Sequence, residues 1–206
     1  YSDGMEPLAE KKEIVVTGLP GAGKTHMLFS NEFATMFDGQ DYLLVAPDEI
    51  KEKLVDLPGS KFADLKGLEA AALVHDEASM MAQAWADSIV ADGSNLILDL
   101  TGINPEKLTQ RMQRLLDAGY EVSLVHVSTQ PEEAELAALR RYQRGSRKPD
   151  GGRPVPPEYY EATGPVADAA FNAAKELANG VVMRLDNSPT DRESMRVVDV
   201  ENKRGA

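Results

Sequence analysis

The 206-residue chain contains no cysteine, which excludes a disulfide framework, thiolate catalysis and a cysteine-built metal site. It also has no apolar run approaching the roughly 18 residues that a membrane-crossing helix needs. Its first residues, Tyr1-Ser2-Asp3-Gly4-Met5, lack both the basic start and the apolar stretch of a secretory signal. Such a chain fits a reducing, cytoplasmic setting, and that is the expectation. Position 1 is not Met, so the sequence can be a piece of a longer protein. Positive charge is scarce: 22 Lys and Arg stand against 34 Asp and Glu, for a net charge of −12. That balance argues against nucleic-acid or membrane partners, although a local cationic patch is enough to hold a nucleotide. Repeats, low-complexity tracts and an obvious interdomain linker are missing as well. The length suits one domain with a sizeable core, read as a polar leader over 1–12 and a single domain over 13–206.

What is present is an alternation of apolar runs and helical spacing. Continuous apolar runs predict buried strands at 13–17, 42–46, 95–100, 121–127 and 181–185, with a short edge strand at 195–200. Helices are predicted over 26–37, from Pro47, and over 76–91, 104–116 and 131–143. Another runs over 158–179, interrupted at Gly164-Pro165. Leu108, Met112 and Leu115 share one helix face; Met80, Ala84 and Ile89 are the expected apolar positions of another, and Trp85 is expected to be buried. Residues 56–75 receive no firm assignment: 57–60 read as a loop and 62–73 as weakly helical. Strand–helix alternation implies an α/β fold, with a mostly parallel, doubly wound sheet and right-handed crossovers.

The organising stretch is Gly18-Leu19-Pro20-Gly21-Ala22-Gly23-Lys24-Thr25. It follows an apolar strand and opens a helix at His26, which is the context that the spacing G-x-x-x-x-G-K-[ST] requires of a P-loop. Glycines allow the backbone to turn its N–H groups around a phosphate chain. Lys24 can then reach the β- and γ-phosphates, and Thr25 can offer its hydroxyl to Mg²⁺. ATP with Mg²⁺ is the implied ligand.

In such sheets ligands lie beyond the carboxyl ends of the strands. Asp48 follows the second strand, where it can take a proton from a substrate hydroxyl or simply cap the helix it precedes. Asp99 ends the third strand, in the place of a second magnesium-binding carboxylate, with Thr101 just beyond. No Glu follows Asp99 to activate water, and no Asn-Lys-x-Asp guanine reader is present. Both omissions lean toward transfer to a bound substrate rather than hydrolysis. The cluster His75-Asp76-Glu77-Ala78-Ser79 reads as helix capping or as a substrate-binding corner, with capping preferred. Arg140, Arg141, Arg144, Arg147, Lys148 and Arg153 crowd one stretch that holds a single acid, Asp150. The Gly/Pro-rich segment 145–157 within it looks like a lid whose arginines neutralise charge on a transferred phosphoryl group.

With these residues in order, the chain resembles the zeta toxin family of P-loop kinases, from about Glu13 to Leu185. The P-loop is followed by Pro47-Asp48-x-x-Lys51, an acidic helix start, Asp99-Leu100-Thr101-Gly102, Arg141-Tyr142 and then Arg153. The family typically has Glu-Gly-Thr-Gly where this chain has Asp-Leu-Thr-Gly. The resemblance implies a kinase-type P-loop fold that transfers the γ-phosphate of ATP to the 3′-hydroxyl of UDP-N-acetylglucosamine. It implies Asp48 as general base, and Lys24, Arg141 and Arg153 as phosphoryl stabilisers. Thr101 and the cluster around Glu77 and Ser79 would then hold the nucleotide-sugar, with Lys51 beside Asp48. A small helical antitoxin is the implied protein partner. Relatives of this architecture phosphorylate other hydroxyls, on a dinucleotide ribose or an antibiotic. A nucleotide-gated regulatory ATPase is the non-kinase alternative.

Overall fold

The computed structural model describes residues 9–37, 42–56, 68–145, 157–188 and 195–205. Six strands form one sheet in the order β2-β3-β1-β4-β5-β6. They are β1 (Lys12–Thr17), β2 (Leu43–Val45), β3 (Leu96–Asp99), β4 (Glu121–Ser128), β5 (Val181–Asp186) and β6 (Arg196–Asn202). The first five run parallel, and β6 pairs antiparallel with β5 at the edge. This division follows burial. Strands β1, β3 and β4 are almost wholly buried, as strands covered on both faces must be. Every residue of β6 is exposed. The first strand therefore begins at Lys12, inside the stretch expected to be leader.

Alternation along the strands divides the core in two. Ile14, Val16, Val125, Val127 and Met183 pack on one face with Met27, Phe33 and Phe37. Val15, Leu98, Leu124 and Val182 pack on the other with Leu108, Met112, Leu115 and Phe171. The first set of helical residues belongs to α1 (Lys24–Leu28) and α2 (Asn31–Phe37), the second to α5 (Pro105–Asp117) and α7 (Pro157–Ala174). Helix α5 forms as its sequence dictates. The Asn104 side chain accepts from the Lys107 amide at 2.9 Å, Pro105 takes the first helical position, and the expected stripe is buried.

Four local expectations are corrected. The helix after the P-loop is two helices, because the Ser30 hydroxyl accepts from the Phe33 amide at 3.1 Å and so caps a new start. Helix α4 runs Leu68–Ala91 rather than from Asp76, as its Leu/Glu/Ala-rich opening favours. Its buried stripe is Val74, Ala78, Ala82, Ala86 and Ile89, small side chains that let it lie close to the sheet, while Met80, Ala84 and Trp85 face outward. Helix α7 passes through Gly164-Pro165 without ending. Burial of Tyr160, Ala167, Ala170, Phe171 and Ala174 along it outweighs the roughly 3 kcal/mol that an internal proline costs. The remaining helices are α3 (Pro47–Asp56) and α6 (Pro131–Gly145).

Candidate active site

The P-loop joins β1 to α1 and is shaped by its glycines. Gly21 (φ 86°) and Gly23 (φ 94°) both adopt the left-handed region that side chains resist. A Cβ at Gly21 would overlap the Ala134 carbonyl oxygen of α6, and one at Gly23 would strike the Asn187 amide. Asn187 donates from Nδ2 to the Ala22 carbonyl at 2.8 Å. The loop after β5 thus clamps the P-loop, a contact that no sequence motif announces. Gly18 ties the loop to the neighbouring strand end, its amide donating to the Thr101 carbonyl at 3.4 Å. Pro20, Ala22, Thr25 and His26 lie on the same turn and first helical residues, with Ala22 buried and Thr25 and His26 exposed.

Lys24 lies back over this loop. Its ammonium donates to the carbonyls of Gly18 at 2.9 Å and Leu19 at 3.2 Å, and stands 3.7 Å from Asp99 Oδ1. That carboxylate oxygen is buried and has no hydrogen-bond partner. Burial raises the Asp99 carboxyl; Lys24 opposes the rise, and the Asp48 and Glu49 carboxylates add to it. An oriented oxygen with an unspent lone pair beside a phosphate-binding loop fits a divalent cation. Thr25, at the start of α1, supplies the hydroxyl such a cation takes from a P-loop. Among the described residues no cluster of three His, Asp or Glu could hold a metal by itself. Mg²⁺ keeps few protein ligands and shares the phosphates.

Asp48 is the second residue of α3, not its cap. Its carboxylate meets Lys51 Nζ at 2.8 Å. Desolvation by the protein around it would raise the group, but Lys51 first, then Lys24 and Arg141, outweigh this and hold it below the usual carboxylate range. It is therefore an ionised acceptor at neutral pH, and 75% of its side-chain surface stays open. Tyr159, at the start of α7, is a neighbour that sequence reasoning missed. Its hydroxyl interacts with the Thr101 side chain; burial raises it, with Thr101 opposing and the Asp48 charge adding to the rise. Tyr160 beside it is buried, and desolvation pushes its hydroxyl up to about 12, with Arg141 opposing. The signal for this pair was an aromatic dipeptide opening a helix after the Arg-rich loop.

Lys24, Asp48, Lys51, Asp99, Thr101, Arg141 and Tyr159 are thus linked by mutual electrostatic and hydrogen-bond influence around the carboxyl ends of β1, β2 and β3. Glu77 and Ser79 lie half-buried in the third and fourth turns of α4, which packs on α3, so the cluster does not cap a helix. Arg153, Arg147 and Lys148, and with them the expected lid, fall outside the described residues. Arg140 is exposed on α6. Among the described residues no helix is long and apolar enough to cross a membrane.

A sequence-family model described as Zeta toxin matches residues 3–201. No curated protein matches the sequence. Among solved structures, the chain is similar to the PezAT chromosomal toxin–antitoxin system of Streptococcus pneumoniae. The identity is 18% and the TM-score 0.70, over 96% of this chain and 74% of that one. It is also similar to a Chloroflexus aurantiacus protein whose assignment as a kinase is itself a proposal. There the identity is 22% and the TM-score 0.59, covering 90% and 92% of the two chains. The AvrRxo1-ORF1:-ORF2 complex with ATP aligns at 19% identity and a TM-score of 0.60. It covers 97% of this chain, which spans only 59% of that one.

Proposed function

The chain belongs to the zeta toxin family, and from that premise we propose that it is a kinase. It transfers the γ-phosphoryl group of ATP to a hydroxyl of a small acceptor, most specifically the 3′-hydroxyl of UDP-N-acetylglucosamine, and acts as a toxin in the cytoplasm. The observation that carries this reading is the grouping of charges at the strand ends. A P-loop lysine stands 3.7 Å from a strand-end carboxylate with a free oxygen, and the same lysine helps to hold the aspartate after the next strand ionised. A structure with ATP among similar folds also supports it.

On this reading the P-loop cradles the phosphates, and Lys24 gives up two neutral carbonyls for anionic oxygens, which bind an ammonium more strongly. Asp99 and Thr25 would hold Mg²⁺, which neutralises the charge shared by the β- and γ-phosphates. Asp48 accepts a hydrogen bond from the acceptor hydroxyl and aims its oxygen at phosphorus. A carboxylate held at low pKa is a weak base, so the proton moves late, as a loose transition state allows. Lys51 fixes the orientation of Asp48, and Thr101, Glu77 and Ser79 hold the acceptor. Arg141, with Arg153, stabilises the phosphoryl group in flight. PezAT is a toxin–antitoxin system, and a small helical antitoxin is the proposed partner here too.

The test is product analysis. The purified chain is incubated with Mg·ATP and UDP-N-acetylglucosamine, NAD, nucleosides or aminoglycosides, beside Asp48→Asn, and products are weighed by mass spectrometry. A UDP-N-acetylglucosamine heavier by one phosphoryl group, absent with the variant, is the expected result. A phosphorylated product from another acceptor keeps the kinase and discards the cell-wall target. Equal ATP hydrolysis by both proteins with no phosphorylated acceptor rejects the kinase.

A further inference from the structure

The best-organised polar groups outside the candidate site lie behind it. Thr17 is the last residue of β1 and directly precedes the P-loop. Its buried hydroxyl bonds His126 Nδ1 of β4 at 2.9 Å. His126, 2% exposed, reaches Asp168 Oδ1 of α7 through Nε2 at 3.1 Å, and Arg184 of β5 donates to the same oxygen at 2.8 Å. The tautomer follows from these partners. A carboxylate only accepts, so Nε2 carries a proton, while the Thr17 hydroxyl lies between Nδ1 and the Val125 carbonyl at 3.4 Å. The imidazole also stacks on Phe171 of α7 at 5.0 Å. A cavity of about 470 Å³ opens beside this chain, bounded by Leu19, Val127, Gly164, Ala167 and Asp168 among others. At this level α7 meets the sheet through this polar bridge as well as through the Phe171 stack.

The other side of Thr17 is equally constrained. Its Cβ and Cγ2 fill the space that a Cβ at Gly102 would need, and the neighbouring Gly18 amide bonds Thr101. A change in the Thr17 rotamer would press on the strand end that anchors the P-loop. We propose that Thr17, His126 and Asp168 form a positioning strut that transmits the docking of α7 to the root of the P-loop. His126 and Asp168 thereby set nucleotide affinity without reaching the nucleotide. Because the first turn of α7 also carries Tyr159, beside Thr101 and Asp48, one helix borders the acceptor side and steadies the phosphate side.

This inference rests on the reading of the P-loop as an ATP site, and its test separates the two. Mg·ATP dissociation constants, Michaelis constants and melting points are measured for wild type, Asp168→Ala and Asp168→Asn. Imidazole ¹⁵N resonances are recorded for the three histidines. The strut predicts an Nε2–H tautomer for His126. In Asp168→Ala it predicts an ATP dissociation constant raised about fivefold, one hydrogen bond's worth, with the acceptor Michaelis constant unchanged. Asparagine, which keeps an acceptor for Nε2–H, restores most of the affinity. An Nδ1–H tautomer overturns the strut, as does an ATP affinity that Asp168→Ala leaves within twofold of wild type, or one lowered equally by alanine and asparagine. Wild type failing to bind Mg·ATP would instead sink the nucleotide site itself.

Discussion

The paired strands β1 and β3 carry a carboxylate facing a cation at each end, and the two pairs differ in one respect. At the carboxyl end Asp99, in register with Val16, stands 3.7 Å from Lys24. At the amino end Glu13, in register with Leu96, lies 4.0 Å from the Arg111 guanidinium. Neither pair is close enough for a hydrogen bond, and both leave buried carboxylate oxygens without a partner. Asp99 is 21% exposed, whereas Glu13 is 0% exposed and sealed. Burial pushes the Glu13 carboxyl up to about 7, with Arg111 opposing. A carboxylate that is partly open can take a ligand; the same group under a closed sheet is only a cost.

Experiments can break or sharpen this contrast, beginning at the open end. Asp48→Asn is expected to lower phosphoryl transfer by roughly 10²–10⁴-fold, the range for a lost positioned base, with ATP affinity nearly unchanged in a binding titration. Lys24→Ala should lower transfer by about 10²–10³-fold and weaken ATP binding as well. It also raises the Asp99 carboxyl further, because Lys24 is the group that lowers it.

The sealed end predicts a stability effect with no catalytic counterpart. The folded-state pKa of Glu13 is raised, so its protonated form favours folding. That contribution is full below pH 4.5 and is lost as pH rises through about 7. The loss amounts to roughly 2 kcal/mol between pH 5 and pH 8.5. Glu13→Gln should abolish this component and make the protein more stable than wild type at pH 8.5 in denaturant titrations, while leaving transfer intact. A variant whose stability keeps the wild-type pH slope would show that Arg111 already satisfies the pair. The smallest effect belongs to Lys51→Met. Lys51 lowers Asp48, so its loss should move the acid limb of kcat/KM toward higher pH without abolishing activity.

Much of this was written locally. The P-loop, the five parallel strands and the buried stripe of α5 were all legible, because each rests on spacing within a few residues of the chain. The same spacing misled where two patterns overlapped. In α4 the side chains Met80 and Trp85 carry far more apolar surface than alanine, yet the helix turns Ala78, Ala82 and Ala86 inward. The restart at Ser30 had a readable signal, a cap, which the stronger neighbouring pattern masked, and the opening from Leu68 read as weakly helical without being joined to the helix after it. Asn187 and the Thr17–His126–Asp168 chain had no such signal.

By itself, the sequence determined which chemistry the protein carries and on which strand ends it sits. A glycine loop before a lysine and carboxylates after apolar runs are properties of short segments. Only the tertiary structure decided which carboxylate is reachable and which is entombed, and which distant polar groups meet. Solvent access and contacts across 40 or more residues arise from packing whole layers, and no local pattern encodes them.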